Sequence, residues 1–450
     1  MSYHPLKAKE FIEKSNKVQW HDEALWFVRQ KRDTASKAID EWESLRNQAS
    51  KIKQHTMENL YGYLVEFEKN ATQNGIQVHF ANDAKEHNQI VESILKQHNA
   101  IKIVKSKSML TEECGLNHYL ETKGFEVVDT DLGERIIQLN NEPPSHIVLP
   151  AIHLKKEEVS DIFHKHLHTQ QGNYDPTYLT HEARKHLREK FENAHAAITG
   201  VNFAVASTGG FVVCTNEGNA DMGTSLSDLH IACMGVEKLI PNLEALGVFT
   251  RVLARSATGQ NITTYTSHFH KPQSNKQIHL IIVDNGRSEI LQKQNFKQAL
   301  SCIRCGACMN TCPVYRRSGG HSYGYTIPGP IGSVLGALKD PQKNSSLPFA
   351  STLCGSCDSV CPVKINLHEL LLELRDETKE FNFSKTKLLA LKLSRVFLSS
   401  KFLYKFGFGL FRRYHGFIEK LIPQNGWTDS RTLPKPAKKS FKELYKQMEK

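Results

Sequence analysis

Apolar side chains in the first 75 residues group as Ala24-Leu25-Trp26-Phe27-Val28 and recur at Ile39, Trp42 and Leu45, with charged and amide residues on the other faces. That spacing predicts a helical N-terminal arm over residues 1–75, to which no chemistry is assigned. From residue 76 the pattern shortens to β-branched runs at 76–80, 101–104, 125–128 and 145–149, and a stretch at 84–97 places Ile90, Val91, Ile94 and Leu95 on one helical face. Further runs at 201–206, 210–214, 230–234 and 278–283 extend the alternation. The expected fold over 76–293 is an α/β domain around a largely parallel sheet.

Beyond Asp284 the chain turns helical and then loop-rich, with Ser318-Gly319-Gly320 and Ile327-Pro328-Gly329-Pro330-Ile331-Gly332 as turn signals. Leu367, Leu370, Leu371 and Leu374 form an apolar stripe that predicts a helix starting near Asn366. These features bound a third region at 294–378 and a C-terminal region at 379–450. Within the latter, residues 388–411 are rich in Leu and aromatics broken by Lys and Arg; burial is expected, because an exposed patch of that size is a liability.

The chemistry is concentrated in cysteine. Seven of the ten sit in two runs, Cys302-x2-Cys305-x2-Cys308-x3-Cys312-Pro313 and Cys354-x2-Cys357-x3-Cys361-Pro362. Two-residue gaps let one tight loop aim three sulfurs at a common centre, and in the two-cluster pattern the last cysteine of each run ligates the other iron–sulfur cluster. Cys302, Cys305, Cys308 and Cys361 are therefore expected on a first [4Fe-4S] cluster, and Cys312, Cys354 and Cys357 on a second. Position 351, where a complete second run has its first cysteine, is Ser351. The second cluster is then [3Fe-4S], or [4Fe-4S] with a fourth ligand from Ser351, another protein group, water or a partner. Zinc accounts for paired C-x2-C units but not for a third cysteine at the same interval or for both prolines. Cys114, Cys214 and Cys233 stand alone in apolar stretches and read as small buried hydrophobes.

Charge adds one asymmetry. The chain carries a net +11, yet residues 381–450 alone hold 16 Lys and Arg against 4 Asp and Glu. The basic character belongs to this tail, which suits an anionic surface: an acidic partner or the inner membrane leaflet. Nucleic acid is not expected, since no zinc-finger or RNA-binding signature accompanies the run. No stretch reaches the ~18 apolar residues of a spanning helix, and the N-terminus lacks a signal-peptide core. A cytoplasmic protein is expected; for its tail, contact with the inner membrane face, contact with an acidic partner and a solvated face, the commonest reason for such a run, are the open readings.

In the α/β region, Thr208-Gly209-Gly210 precedes a buried strand and Asn216-Glu217-Gly218-Asn219 leaves it. Ligands gather where strands of open α/β sheets end, so Gly209, Gly210, Asn216, Glu217, Gly218 and Asn219 are candidate binding residues; a plain turn with left-handed glycines is the competing reading. No nicotinamide or flavin fingerprint, P-loop, HExxH or nucleophile elbow is present. His164, His166 and His168 read as surface residues of a helix, where i and i+2 diverge.

Taken together, the chain resembles the lactate utilization protein B family, iron–sulfur subunits of a bacterial L-lactate oxidation system. The resemblance rests on residues 198–204 (ITGVNFA), Thr215 to Asn219, His230-Ile231-Ala232 through Gly235-Val236-Glu237-Lys238, both cysteine runs, Pro328 to Gly332, Gly426-Trp427-Thr428, and Pro436-Ala437-Lys438-Lys439-Ser440-Phe441. It implies a domain shared by lactate utilization proteins (a LUD domain), related in fold to sugar-phosphate isomerases and CoA-transferases, followed by an α-helical ferredoxin-like domain with two four-iron clusters. The family's three-cysteine second run is present here. One departure is Ser207, where relatives often have an acidic residue. The implied partners are two further lactate utilization subunits, one cysteine-rich and one with a LUD domain alone, and an electron acceptor. The expected role is single-electron transfer during conversion of L-lactate to pyruvate, without an acid–base pair of its own. The alternatives are a subunit serving another 2-hydroxy acid such as glycolate, and a ligand-sensing or nucleic-acid-binding protein with structural clusters.

Overall fold

A computed structural model describes residues 3–421, 431 and 434–448; the Gly426-Trp427-Thr428 segment lies outside them. The chain divides into two compact units, Met1–Phe381 and Asn382–Lys450.

Among the described residues of the first unit ten strands form two sheets: β1 (Gln77–Ala81), β2 (Lys102–Lys105), β3 (Glu126–Asp129), β4 (Ala196–Gly200), β5 (Phe203–Val205), β6 (Gly210–Thr215), β7 (Leu229–Gly235), β8 (Leu239–Ile240), β9 (Tyr265–Phe269) and β10 (Gln277–Val283). The larger sheet has the order β1-β10-β7-β4-β2-β3 and is parallel at every pairing. Its central β7 is buried along its whole length, as expected of a parallel strand covered on both faces. Crossover helices supply the cover. In one of them, Ala84–Gln97, the Asp83 side chain accepts from the Glu86 amide and buries Val91, Ile94 and Leu95 beneath the sheet.

Two sequence expectations are corrected here. Residues 210–214 are a strand, but β6 belongs to a separate sheet, β8-β5-β6-β9, pairing antiparallel with β5 and β9. Residues 145–149 are not a strand. Their polar groups are met by side chains, since His146 Nδ1 accepts from the Val148 and Leu149 amides at 3.0 Å and the Tyr315 hydroxyl donates to the Ser145 carbonyl at 2.6 Å. A β-branched run whose backbone is already bonded has no need of a ladder.

The N-terminal arm is four helices, Tyr3–Lys14, Val18–Lys37, Trp42–Glu58 and Leu60–Gln73. The helix Leu367–Glu377 follows the second cysteine run and buries Leu367, Leu370, Leu371 and Leu374.

The second unit contains the helices Lys385–Ser399, Lys401–Leu421, bent at Tyr414, and Phe441–Met448. The expectation of burial at 388–411 is not met. Leu389, Leu393, Phe402 and Phe406 are all exposed, because Lys and Arg are interleaved among the apolar positions and the two helices cannot close a core. Among the described residues no helix is long and apolar enough to cross a membrane.

Candidate functional site

Both cysteine runs fold into the same local shape. In the first, Arg304 (φ +60°) and Gly306 (φ +75°) turn left-handed on either side of Cys305, the helix Ala307–Thr311 presents Cys308, and Cys312 leaves it extended so that Pro313 opens the helix Pro313–Ser318. In the second, Leu353 (φ +54°) and Gly355 (φ +72°) flank Cys354, the helix Ser356–Val360 presents Cys357, and Cys361 ends it before Pro362.

These turns gather sulfurs from both runs. Cys302, Cys305, Cys308 and Cys361 line one cavity walled by Ile147, Ile331 and Val363. Cys312 and Cys357 are grouped with Cys354: burial pushes both thiols up, and the Cys354 charge adds to each. Cys308 feels Cys357 as well, so the two groups are neighbours. Burial lifts the Cys361 thiol to about 11.

Backbone amides point at the sulfurs. Arg304 N–H donates to Cys302 Sγ and Ile365 N–H to Cys361 Sγ, each at 3.4 Å. The amides of Ala307 and Ile331 serve Cys305 and Cys308, and those of Val314 and Tyr315 serve Cys312. An apolar ring of thiols supplied with amide donors fits the donor set of an iron–sulfur cluster. Among the described residues no three His, Cys, Asp or Glu side chains converge to hold one ion; the four sulfurs ring a space instead.

The N-terminal arm grips this centre. Arg46 donates to the carbonyls of Cys361 and Asp358, Arg32 to the carbonyl of Val360 at 3.2 Å, and Arg29 to Thr311 Oγ1. The sequence pattern of the arm points to packing and to no chemistry. A signal was nonetheless present, because Arg46 and Lys53 interrupt the apolar stripe Trp42, Leu45, Ala49, Met57 and are as buried as its members.

A cleft of about 270 Å³ lies at the C-terminal ends of β2, β4 and β7. Its polar lining includes Asn202, Thr215, Lys238 and Arg304, together with Lys107 paired to Asp131 at 2.9 Å and the carboxylates of Glu113, Glu217 and Glu237, and Ile147 lines both this cleft and the cysteine cavity. Beneath it runs a buried charge chain. Glu237 pairs with Arg287 at 2.6 Å and Arg304 at 3.7 Å, and Arg287 pairs with Glu113 at 3.0 Å. Against the burial that would raise it, these cations hold the Glu237 carboxyl down to about 2. Burial lowers Lys238 to about 8 and Lys53 to about 7. A Cβ at position 235 would stand 2.0 Å from Glu237 Oε2, so the ion pair would have to shift to admit one.

Of the α/β residues singled out from sequence, Asn216, Glu217 and Asn219 line the cleft. Asn216 also accepts from the Thr264 amide, and Glu217 from the Leu132 amide, each at 3.0 Å. Gly218 (φ +67°) caps the helix Asn219–Leu226. Gly209 and Gly210 lie at the opposite end of β6, where a Cβ on Gly209 would meet the Ala71 backbone nitrogen at 2.2 Å; they do not line the cleft. His164, His166 and His168 are exposed at the end of the helix Lys156–Leu167. Cys114 and Cys233 are buried, whereas Cys214 is half-buried on the cleft wall.

Comparison with known proteins agrees with this layout. The LUD domain family matches residues 64–291, the 4Fe-4S dicluster domain residues 298–365, and the lactate utilisation protein B C-terminal family residues 374–450. A DUF162 family protein of Deinococcus radiodurans, whose crystal structure is known, aligns over 50% of this chain and 98% of its own at 13% identity and a TM-score of 0.29. Lactate utilization protein B of Bacillus cytotoxicus is 45% identical over 432 residues, spanning 92% of this chain and 91% of the relative, and that of Bacillus thuringiensis is 43% identical over 428 residues, spanning 91% and 90%. With a LUD domain, a 4Fe-4S dicluster domain and end-to-end similarity of this degree, the chain belongs to the lactate utilization protein B family, an iron–sulfur protein of lactate utilization.

Proposed function

We propose that this chain relays single electrons from L-lactate oxidation to a downstream acceptor. The observation that carries the reading is the meeting of Cys302, Cys305, Cys308 and Cys361 around one cavity whose Ile147 wall also faces the α/β cleft. Iron–sulfur clusters held there and by Cys312, Cys354 and Cys357 supply one-electron storage. Arg304 and the amides of Ala307, Ile331 and Ile365 stabilise negative charge on the first cysteine group. Cys354 is exposed, which makes the second group the exit toward an acceptor or a partner subunit.

The cleft is the donor-side entrance in this reading. Glu237 is occupied by Arg287 and Arg304, which leaves the Lys238 ammonium without a carboxylate partner among the described residues. Arg304 Nη1 and Thr215 Oγ1 are buried there with no hydrogen-bond partner. This set suits a small carboxylate, with the apolar walls excluding water. Two partner subunits, one cysteine-rich and one with a LUD domain alone, complete the system. The exposed Leu and Phe side chains interleaved with Lys and Arg in the second unit favour an anionic membrane surface as its resting place.

Anaerobically purified protein should contain iron and acid-labile sulfide; their absence sinks the reading. Mixed with its partner subunits, it should show cluster reduction on addition of L-lactate and not of glycolate, and the reverse preference would assign the glycolate alternative. Lys238→Met should weaken saturable binding of L-lactate or pyruvate by about tenfold, the worth of one charged hydrogen bond.

A further inference from the structure

We propose that the Ser351 hydroxyl oxygen is the fourth protein ligand of the second cluster. The inference rests on the reading that the cysteines hold clusters, and deepens it at the one position where the second run lacks a sulfur.

The two runs are one backbone motif used twice at a constant offset. Arg304 and Leu353 correspond, as do Cys305 and Cys354, Gly306 and Gly355, Cys308 and Cys357, and Cys312 and Cys361, with left-handed turns and five-residue helices at the same places. The residue equivalent to Cys302 is Ser351. The equivalence reaches the side chain. Arg304 N–H donates to Cys302 Sγ at 3.4 Å, and Leu353 N–H donates to Ser351 Oγ at 3.1 Å. Oγ therefore occupies, within the second loop, the position that Sγ occupies in the first, and the shorter distance is what the smaller atom requires.

The segment bearing Ser351 is fixed from behind. Arg375 donates to the Ser351 carbonyl at 2.6 Å and the Pro348 carbonyl at 2.9 Å, and its guanidinium lies 5.3 Å from the Phe349 ring centroid. A hydroxyl held by an amide donor on one side and a braced backbone on the other is preorganised as an oxygen ligand. The first cysteine group has four sulfurs and the second has three, so Ser351 supplies the vertex that would otherwise be open. Ligation involves no redox change: the Oγ–H bond breaks, the bond from Oγ to iron forms, and the proton passes to water, to which the exposed Cys354 gives access.

The test uses the full chain, purified anaerobically, with Ser351→Ala and Ser351→Cys. The native protein should give a Mössbauer component for one iron with an oxygen ligand, absent in Ser351→Cys. Mild oxidation should release one iron and produce a three-iron EPR signal at least several-fold stronger in Ser351→Ala than in native protein, while Ser351→Cys resists. The first cluster's spectrum, unchanged in all three, reports intact folding. A Ser351→Ala protein with native iron content, Mössbauer spectrum and second-cluster potential overturns the proposal and assigns that vertex to water or a partner. Loss of all iron and sulfide from native protein would instead overturn the cluster reading itself.

Discussion

Arg46 donates to the carbonyl of Cys361 through both Nε and Nη2, at 3.0 and 2.8 Å. Arg46 belongs to the N-terminal arm, and Cys361 is the residue of the second run that lines the first cysteine cavity. The arm thus sets the position of the one sulfur that the first run cannot supply for itself. Its second contact, to the Asp358 carbonyl at 3.3 Å, ties the preceding turn to the same guanidinium.

Replacing this residue tests the arm's role. Arg46→Lys keeps the charge but not the planar fork, so it should destabilise the protein by about 2–3 kcal/mol. Iron bound per chain should fall with it. Unchanged iron content and melting temperature would reduce the arm to packing alone.

Pairing of sulfurs across the runs has a spectroscopic consequence. Cys361→Ala, although in the second run, should alter the same EPR signal as Cys305→Ala, and Cys312→Ala should alter the other. If each substitution instead disturbs only the cluster of its own run, the proposed ligand sets are wrong.

Gly235→Ala should be among the most damaging small substitutions in the α/β domain. The new methyl would overlap Glu237 Oε2 and approach Arg287 Nε to 2.6 Å. Displacing a buried ion pair in this way should cost about 2–4 kcal/mol, read as a lower urea midpoint. A change within experimental error would show that the charge chain is free to shift.

Glu134 predicts how stability varies with pH. Both its oxygens are buried without a hydrogen-bond partner, and Lys105 stands 3.9 Å away. Burial, and beyond it the Asp129 and Glu112 charges, raise its pKa well above 4.5 in spite of Lys105. Above pH 4.5 the native state keeps a proton that the unfolded chain has released, so stability falls as pH rises through the folded pKa. Glu134→Gln, neutral throughout, should flatten this fall above pH 4.5 in chemical denaturation. An equally steep decline in the variant would place its origin elsewhere.

Local order along the chain was sufficient for several conclusions. Three sulfurs within seven residues are fixed by the sequence at Cys302, Cys305 and Cys308, because the tight loop needs no distant contact to aim them. Alternation of β-branched runs with helical stripes likewise determined a parallel α/β domain, and the Leu367 to Leu374 stripe determined its helix. Tertiary structure alone decided which elements share a centre. The run at 145–149 has strand composition, but its Val148 and Leu149 amides donate to His146 and its Ser145 carbonyl accepts from Tyr315, and β6 reads like any core strand but pairs in a second sheet. Gly209 reads as a candidate binding residue beside a buried strand; it serves the close approach of Ala71. Arg46 and Lys53 carry no motif, and the roles of Lys238 and Arg304 are not legible in theirs, since a cation's function depends on the carbonyls, carboxylates and sulfurs that long-range packing places around it. The sequence by itself thus determined the cysteine loops and the layers, which are local properties of spacing. Their grouping across the two runs, and the cleft beside them, arose only when distant segments met.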